Sequence, residues 1–249
     1  MEKFMVKSMN IDIELNGLIT NVIGPTNSGK TYLLKKLVNI IPNKDIYIDD
    51  KCIKDYDINF LKNNIAVCFN DEVFYTTCVI DELSYHLIQL GYSSKDVITK
   101  VNKLMDTFSL TEYAKVQLDK LPLNIRMLVK VLSYVIIEPS LLGIDNVLIY
   151  LDNVDKENVI KYIKKKKISL INVISDLDDV IYGDRVLIMN HFKGILYGDN
   201  KIIVEDNSIL PYMGIRLPFI VDLSQNLVSF NIIDKIYLDK SKLVNKIWK

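Results

Sequence analysis

Gly24-Pro25-Thr26-Asn27-Ser28-Gly29-Lys30-Thr31 has the spacing G-x-x-x-x-G-K-T of a phosphate-binding loop. The apolar run Leu18 to Ile23 precedes it and predicts a buried strand. A helical pattern follows from Tyr32 to about Ile41, where Pro42-Asn43 stops it. Leu33, Leu34, Leu37 and Val38 mark one face of that helix, and Lys35 and Lys36 the other. This strand, loop and helix context gives the pattern a mechanism. The glycines let backbone N–H groups wrap around phosphate oxygens, and the helix N-terminus adds partial positive charge. Lys30 supplies a full charge to the terminal phosphates, and the Thr31 hydroxyl is suited to ligate Mg²⁺. The alternative is a glycine-rich turn ahead of an ordinary helix.

A chain of 249 residues is long enough for one α/β domain and a small appendage. Formal net charge is zero, so no overall field favours nucleic acid or anionic lipid. Lys164 to Lys167 is the one basic block, read as a solvated helix end. Cys52, Cys68 and Cys78 are odd in number and lack C-x-x-C spacing, which predicts reduced thiols, an intracellular setting and no zinc site. Cys68, inside Ile65-Ala66-Val67-Cys68-Phe69, reads as a small buried hydrophobe. The sequence shows no signal peptide and no apolar run of membrane-spanning length, so membrane association is expected to come through a partner.

Along the chain, Met9 to Leu15 alternates and ends in an Asn16-Gly17 turn, a half-exposed strand and hairpin signal. Ile46 to Ile48, Ile65 to Phe69, Leu141 to Ile144, Leu170 to Ile174 and Val186 to Met189 are short apolar runs of strand length. Between them lie helical patterns at Val79 to Leu90, at Ile125 to Ile137 and around Val159 to Ile163. Another helix, capped by Ser93 or Ser94, carries Val97, Val101, Leu104 and Phe108 on its apolar face. Strands alternating with helices predict an α/β fold, a mostly parallel sheet covered on both faces. From about Lys201, Pro211, Gly214 and Pro218 break the chain into short helices. The expected division is 1–200, with a helical subdomain at about 80–138, and a C-terminal appendage at 201–249 suited to dimerisation or docking. His86 and His191 read as surface or satisfied structural residues.

A phosphate loop needs an acidic residue at the end of a neighbouring buried strand to help hold Mg²⁺. Asp145, ending Leu141-Leu142-Gly143-Ile144, supplies one; the alternative is an Asp that caps the next turn. From here the sequence resembles the ATP-binding-cassette (ABC) ATPases, P-loop NTPases with a helical subdomain. Leu151-Asp152 falls at the L-D of their D-loop, and Pro139 at the proline before the Walker B strand. Leu121-Pro122-Leu123-Asn124-Ile125 stands at the L-S-G-G-Q signature, and Ile174-Ser175-Asp176-Leu177-Asp178 at the T-H-D-L-D switch. Gly183 to Met189 is similar to the A-D-R-V-x-x-M segment, followed by Gly194 and Gly198. Leu210-Pro211-Tyr212-Met213-Gly214-Ile215-Arg216-Leu217-Pro218-Phe219 resembles the G-L-x-L-P-F segment of energy-coupling-factor (ECF) transporter ATPases, a likeness continued by Val221 to Ser224 and Tyr237 to Asp239.

The departures from that family fall on catalytic positions. Its general base, a Glu after the Walker B Asp, is Asn146, which cannot accept a proton from an attacking water. Its switch His is Ser175, and its lid Gln aligns with Asn70. The signature lacks its Ser and both glycines, and Pro122 removes an N–H. The upstream aromatic that stacks on adenine is missing at its usual spacing, with Phe4 the nearest candidate, so base discrimination is expected to be poor. The resemblance implies an ATP-binding subunit of an ECF-type importer for a vitamin or other micronutrient. Its ligands would be ATP and Mg²⁺. Its partners would be a second cassette, a transmembrane coupling subunit and a substrate-capture membrane subunit at the cytoplasmic face. In the family the surface near the lid meets the membrane partner; here that is Asn70 to Leu83, with Phe74, Tyr75 and Asp81-Glu82, for which packing of a connecting loop is the alternative. The substitutions predict retained nucleotide binding with slow or absent hydrolysis, or a non-catalytic structural or regulatory partner. A DNA-repair or translation cassette would need a coiled-coil insertion or tandem cassette and a basic surface, so nucleic acid is not an expected partner.

Overall fold

The computed structural model describes residues 1–38, 44–205 and 209–248. Lys3–Val6 (β1) and Ile11–Glu14 (β2) pair as an antiparallel hairpin, and Ile19–Ile23 (β3) leads into the loop and Lys30–Leu37 (α1). Ile46–Ile48 (β4) and Lys51–Cys52 (β5) complete a four-stranded antiparallel sheet ordered β2-β1-β4-β5. After Ile58–Asn64 (α2) and Ile65–Cys68 (β6) come three helices, Val79–Gln89 (α3), Ser94–Thr107 (α4) and Leu123–Val135 (α5). Leu141–Asp145 (β7), Asn153–Lys165 (α6), Ser169–Val173 (β8), Arg185–Asn190 (β9) and Lys193–Asp199 (β10) finish the main sheet. Its order is β10-β9-β3-β8-β7-β6, with only β9–β10 antiparallel.

Burial follows the two-residue period of strands covered on both faces. Ala66, Cys68, Leu142, Ile144 and Leu170 point to the core shared with α3, α4, α5 and α6. Val67, Leu141, Ile171 and Val173 point to the opposite core with α1 and the antiparallel sheet. Thus one face of the main sheet lies under a second sheet as well as under α1, a layer the apolar runs alone did not predict. Helix α1 can lie close because β7 carries Gly143, where an added Cβ would come within 2.8 Å of Leu34 Cδ2. Asn21 and Asn172 form a buried polar rung inside the sheet, Asn172 Nδ2 donating to Asn21 Oδ1 at 3.0 Å.

Helix α4 starts at the Ser93 cap, which accepts from Asp96 N, and buries Val97, Val101 and Leu104, with Phe108 just beyond its end. Helix α6 ends at Lys165, with Lys164 bound to Asp184 and Lys166 to Glu138, so the basic block is a solvated end with two tethers. Cys68 is fully buried, and burial pushes its thiol up to about 12; all three cysteines are free. Beyond β10 the chain forms Ile202–Glu205 (α7), Ile209–Tyr212 (α8), Phe219–Ser229 (α9) and Lys240–Ile247 (α10), and Ile203 and Leu210 pack onto Ile23, Val186 and Ile188. No helix among the described residues is long and apolar enough to cross a membrane.

Two expectations are corrected. Lys36 is buried rather than solvated, its ammonium 2.9 Å from the Asp45 carboxylate. Asp45 is brought to α1 by the loop before β4, a neighbour that helical periodicity does not include. His86 is half-buried and not satisfied: its ring packs against Tyr75, Tyr85 and Tyr134, its buried Nε2 has no hydrogen-bond partner among the described residues, and burial pushes its pKa down to about 4. Phe4, whose spacing does not fit the adenine-stacking position, is fully buried in the antiparallel sheet, in keeping with that reading. The expected stop of α1 at Pro42-Asn43 and its last residues near Ile41 lie outside the described residues.

Candidate functional site

The loop from Gly24 to Thr31 connects the buried end of β3 to the first turn of α1. Its glycines are required by close approach. A Cβ at Gly24 would sit 2.2 Å from the Met189 carbonyl, and one at Gly29, where φ is +99°, 2.8 Å from Phe192 Cδ1. Asn27 is also left-handed, at φ 62°. Lys30 folds back over the loop, its Nζ donating to Gly24 O (2.7 Å), Pro25 O (2.8 Å) and Ser28 Oγ (3.3 Å). Burial lowers its pKa, opposed by the nearby Asp145 charge. The ammonium is therefore positioned by neutral oxygens, the contacts that an arriving anion would outcompete.

Asp145 ends β7 with its side chain beside α1, where Thr31 Oγ1 donates to its Oδ1 at 3.1 Å. Burial raises its pKa, while the Thr31 hydrogen bond and the charges of Lys30 and Lys35 lower it. This hydroxyl and carboxylate are the hard oxygen ligands that Mg²⁺ prefers. Among the described residues no group of three or more His, Cys, Asp or Glu could hold a metal by itself. The pair fits an ion that arrives with phosphate oxygens and keeps its waters, as Mg²⁺ does.

The expected catalytic positions divide. Asn146, held at φ 56°, accepts at Oδ1 from Ser175 N (3.1 Å) and Ser175 Oγ (2.7 Å), so these two side chains are joined to one another. Ser175 lines a cleft of about 1130 Å³ together with Gly24, Pro25, Thr26 and Lys30. Asn70 is exposed beyond β6 and lines neither this cleft nor the smaller cavity beside the loop. Its neighbour Asp71 is tied to the buried Lys130 of α5, which links the lid position to the helices. Pro122 directly precedes α5, whose first turn has no side-chain cap.

Several further motif residues make caps and tethers. Asp152 caps α6 through Asp155 N (2.8 Å), and Asp176 caps the 3₁₀ segment Leu177–Tyr182 through Asp178 N (3.0 Å). Asp178 accepts from Phe219 N at 2.6 Å, so the tail closes the cleft's far wall with Gly214 to Phe219. Glu82 is buried and accepts from Tyr75 N, Thr76 N and Thr76 Oγ1, which is the loop-packing reading of that residue; Val73 and Tyr75 remain exposed. Sequence reasoning missed Phe192 and Tyr32 beside the loop; Tyr32 read only as the start of the helical pattern, and the His191-Phe192 turn carries no hairpin signal.

No protein-family model matches the chain. It is 23% identical to the energy-coupling factor transporter ATP-binding protein EcfA1 of Listeria innocua, over 100% of this chain and 92% of that protein. Among solved structures it superposes on cbiO1 from Clostridium perfringens, part of the ABC transporter complex cbiONQ. That match has a TM-score of 0.72 and 20% identity, covering 90% of this chain and 100% of that one. A dimeric ATP-binding cassette in a post-hydrolysis state, bound to ADP and Pi, superposes at a TM-score of 0.66 and 15% identity, over 77% of this chain and 89% of that one. The chain has the P-loop NTPase fold of an ABC ATPase and, along its whole length, resembles the ATP-binding proteins of energy-coupling-factor transporters.

Proposed function

We propose that this chain is the ATP-binding subunit of an ECF-type ABC importer for a vitamin or other micronutrient, and that it binds Mg-ATP with little turnover of its own. The observation that carries the reading is the joined geometry of Lys30, Thr31 and Asp145 on one loop and strand end. Loop N–H groups and Lys30 would hold the phosphates; Thr31 and Asp145 would hold Mg²⁺, which neutralises phosphate charge when bound. Asn146 and Ser175 offer no base: Asn146 Oδ1 accepts from the Ser175 N–H and hydroxyl, and neither side chain takes a proton at neutral pH. The chain's own chemistry is then binding and orientation, with closure against a second cassette moving membrane subunits. On this reading it works at the cytoplasmic face of a membrane through its partners.

A second reading, a structural or regulatory pseudo-ATPase, is favoured by the same Asn146–Ser175 bond. Both are tested by Mg-ATP binding and phosphate release on wild type beside Lys30→Ala, with co-purification against integral membrane subunits. Binding that depends on Lys30, slow release and recovery with membrane subunits support the importer. Recovery only in soluble complexes supports the regulator. Turnover at the rate of an efficient ABC ATPase contradicts both.

A further inference from the structure

The hairpin β9–β10 turns through two residues, His191 and Phe192, both with positive φ (45° and 60°). Such a turn is cheapest with Asn-Gly, and a bulky residue in the second position costs on the order of 1 kcal/mol or more. Phe192 nevertheless stands there, 47% exposed, with its backbone N–H donating to Ser28 O at 2.9 Å. Its ring lies against Gly29 of the phosphate loop and edge-on to Tyr32, with centroids 5.4 Å apart. Together with Asn27 to Thr31 and Lys35, these rings wall a separate cavity of about 300 Å³ beside the loop. Phosphate-binding groups thus form one wall and an exposed aromatic face another. Phe4, the one aromatic residue before the loop in the sequence, is buried elsewhere.

We infer that Phe192, backed by Tyr32, is the platform on which the base of the bound nucleoside triphosphate stacks, and that it sets base specificity at this site. The inference rests on the nucleotide-binding reading above and adds the base subsite to it. A π-face reads the plane of a base and not its edge, so the platform holds purines alike. ATP and GTP are expected to bind within a few-fold of each other, and CTP more weakly.

The test is calorimetric binding of Mg-ATP and of Mg-tripolyphosphate, which has no base, to the whole chain as wild type, Lys30→Ala, Phe192→Ala and Phe192→Trp. Stacking is worth about 1–3 kcal/mol per base, so Phe192→Ala is expected to weaken ATP by roughly 5- to 150-fold and tripolyphosphate by less than twofold. Phe192→Trp is expected to keep ATP affinity and to change its fluorescence on adding ATP but not tripolyphosphate. Unchanged ATP affinity in Phe192→Ala overturns the platform. So does an equal loss for both probes, which would mean that the ring only shapes the loop through Gly29, and so does a tryptophan signal that answers to both probes alike. Wild type that binds neither probe overturns the nucleotide reading itself; ATP that needs Lys30 but is indifferent to Phe192 overturns only the base subsite.

Discussion

On the phosphate-loop side of the cleft, Lys30 is gathered over the loop and Thr31 meets Asp145. Just past Asp145, Asn146 and Ser175 form a second side and are bonded to each other. The first arrangement is oriented toward a ligand, and the second satisfies itself. The backbone frames are equally well built: Ser28, Asp145 and Val173 are buried, and Asp176 caps its own segment. The difference therefore lies in side-chain chemistry and not in folding. The Lys30, Thr31 and Asp145 side keeps the charges and the hydroxyl that a nucleotide and Mg²⁺ call for, and the Asn146 and Ser175 side keeps the frame without them.

The largest expected effect comes from restoring the altered side. Asn146→Glu combined with Ser175→His reintroduces a proton acceptor and a residue long enough to reach across the cleft. General acid–base groups contribute roughly 10²- to 10⁴-fold, so phosphate release is expected to rise by about that factor. An unchanged rate, with binding intact, would move the defect away from Asn146 and Ser175 and break the side-against-side comparison.

The altered side is held in place by a buried ion pair. Lys156 Nζ on α6 lies 2.8 Å from both carboxylate oxygens of Asp179, just after the switch, and each side chain is about a tenth exposed. Burial raises the pKa of Asp179 and the Lys156 hydrogen bond and charge lower it. Lys156→Ala leaves that carboxylate buried and unpaired, a loss of about 3–5 kcal/mol by denaturant unfolding. A loss below about 1 kcal/mol would mean that the switch frame is not maintained by this pair.

Next in size is the retained side itself. Lys30→Ala removes one charge-assisted contact, worth about 1.5–3 kcal/mol, and is expected to weaken Mg-ATP roughly ten- to a hundredfold in equilibrium binding. Equal affinity in the two proteins would make the loop a relic and erase the contrast between the sides.

Much of this was legible because it is local. The loop glycines answer to close approach, and β3, β7, β8 and β9 are mostly apolar because both of their faces are covered. The spacing of Asp145 from the apolar run placed it at a strand end, and the fold put it against Thr31. The rest depends on neighbours distant in sequence. Lys36 reads as solvated until Asp45 is brought to it, and His86 reads as ordinary until three tyrosines close around it. Strand β1 is four residues, too short to show a period, yet it anchors the second sheet. Phe192 is a turn residue whose importance comes from Gly29, across a contact that no pattern encodes.

The smallest effect bears on whether the retained side is kept at a cost to stability. Asp145 is buried, and the leading influence on its pKa is that burial, which raises it. A carboxyl whose folded pKa exceeds its unfolded value binds protons more tightly in the native state. Native stability therefore falls as pH rises from the ordinary carboxylate value through the raised one, and the deficit persists at neutral pH. Asp145→Asn removes that deficit and keeps an oxygen to accept from Thr31. It is expected to be more stable than wild type by about 1 kcal/mol at pH 7, as for other relieved functional strain. The advantage should close below the ordinary carboxylate pH, where both states carry the proton. In the same protein Mg²⁺ should no longer strengthen ATP binding. Thermal unfolding from pH 3.5 to 8 and ATP binding with and without Mg²⁺ read both effects. A variant less stable than wild type at pH 7 would show that the Lys30 and Lys35 charges already compensate the carboxylate, and Asp145 would then be a structural residue like Asp179. A variant more stable but blind to Mg²⁺ would mean that this charge persists for its ligand, the property that separates it from Asn146 one residue away.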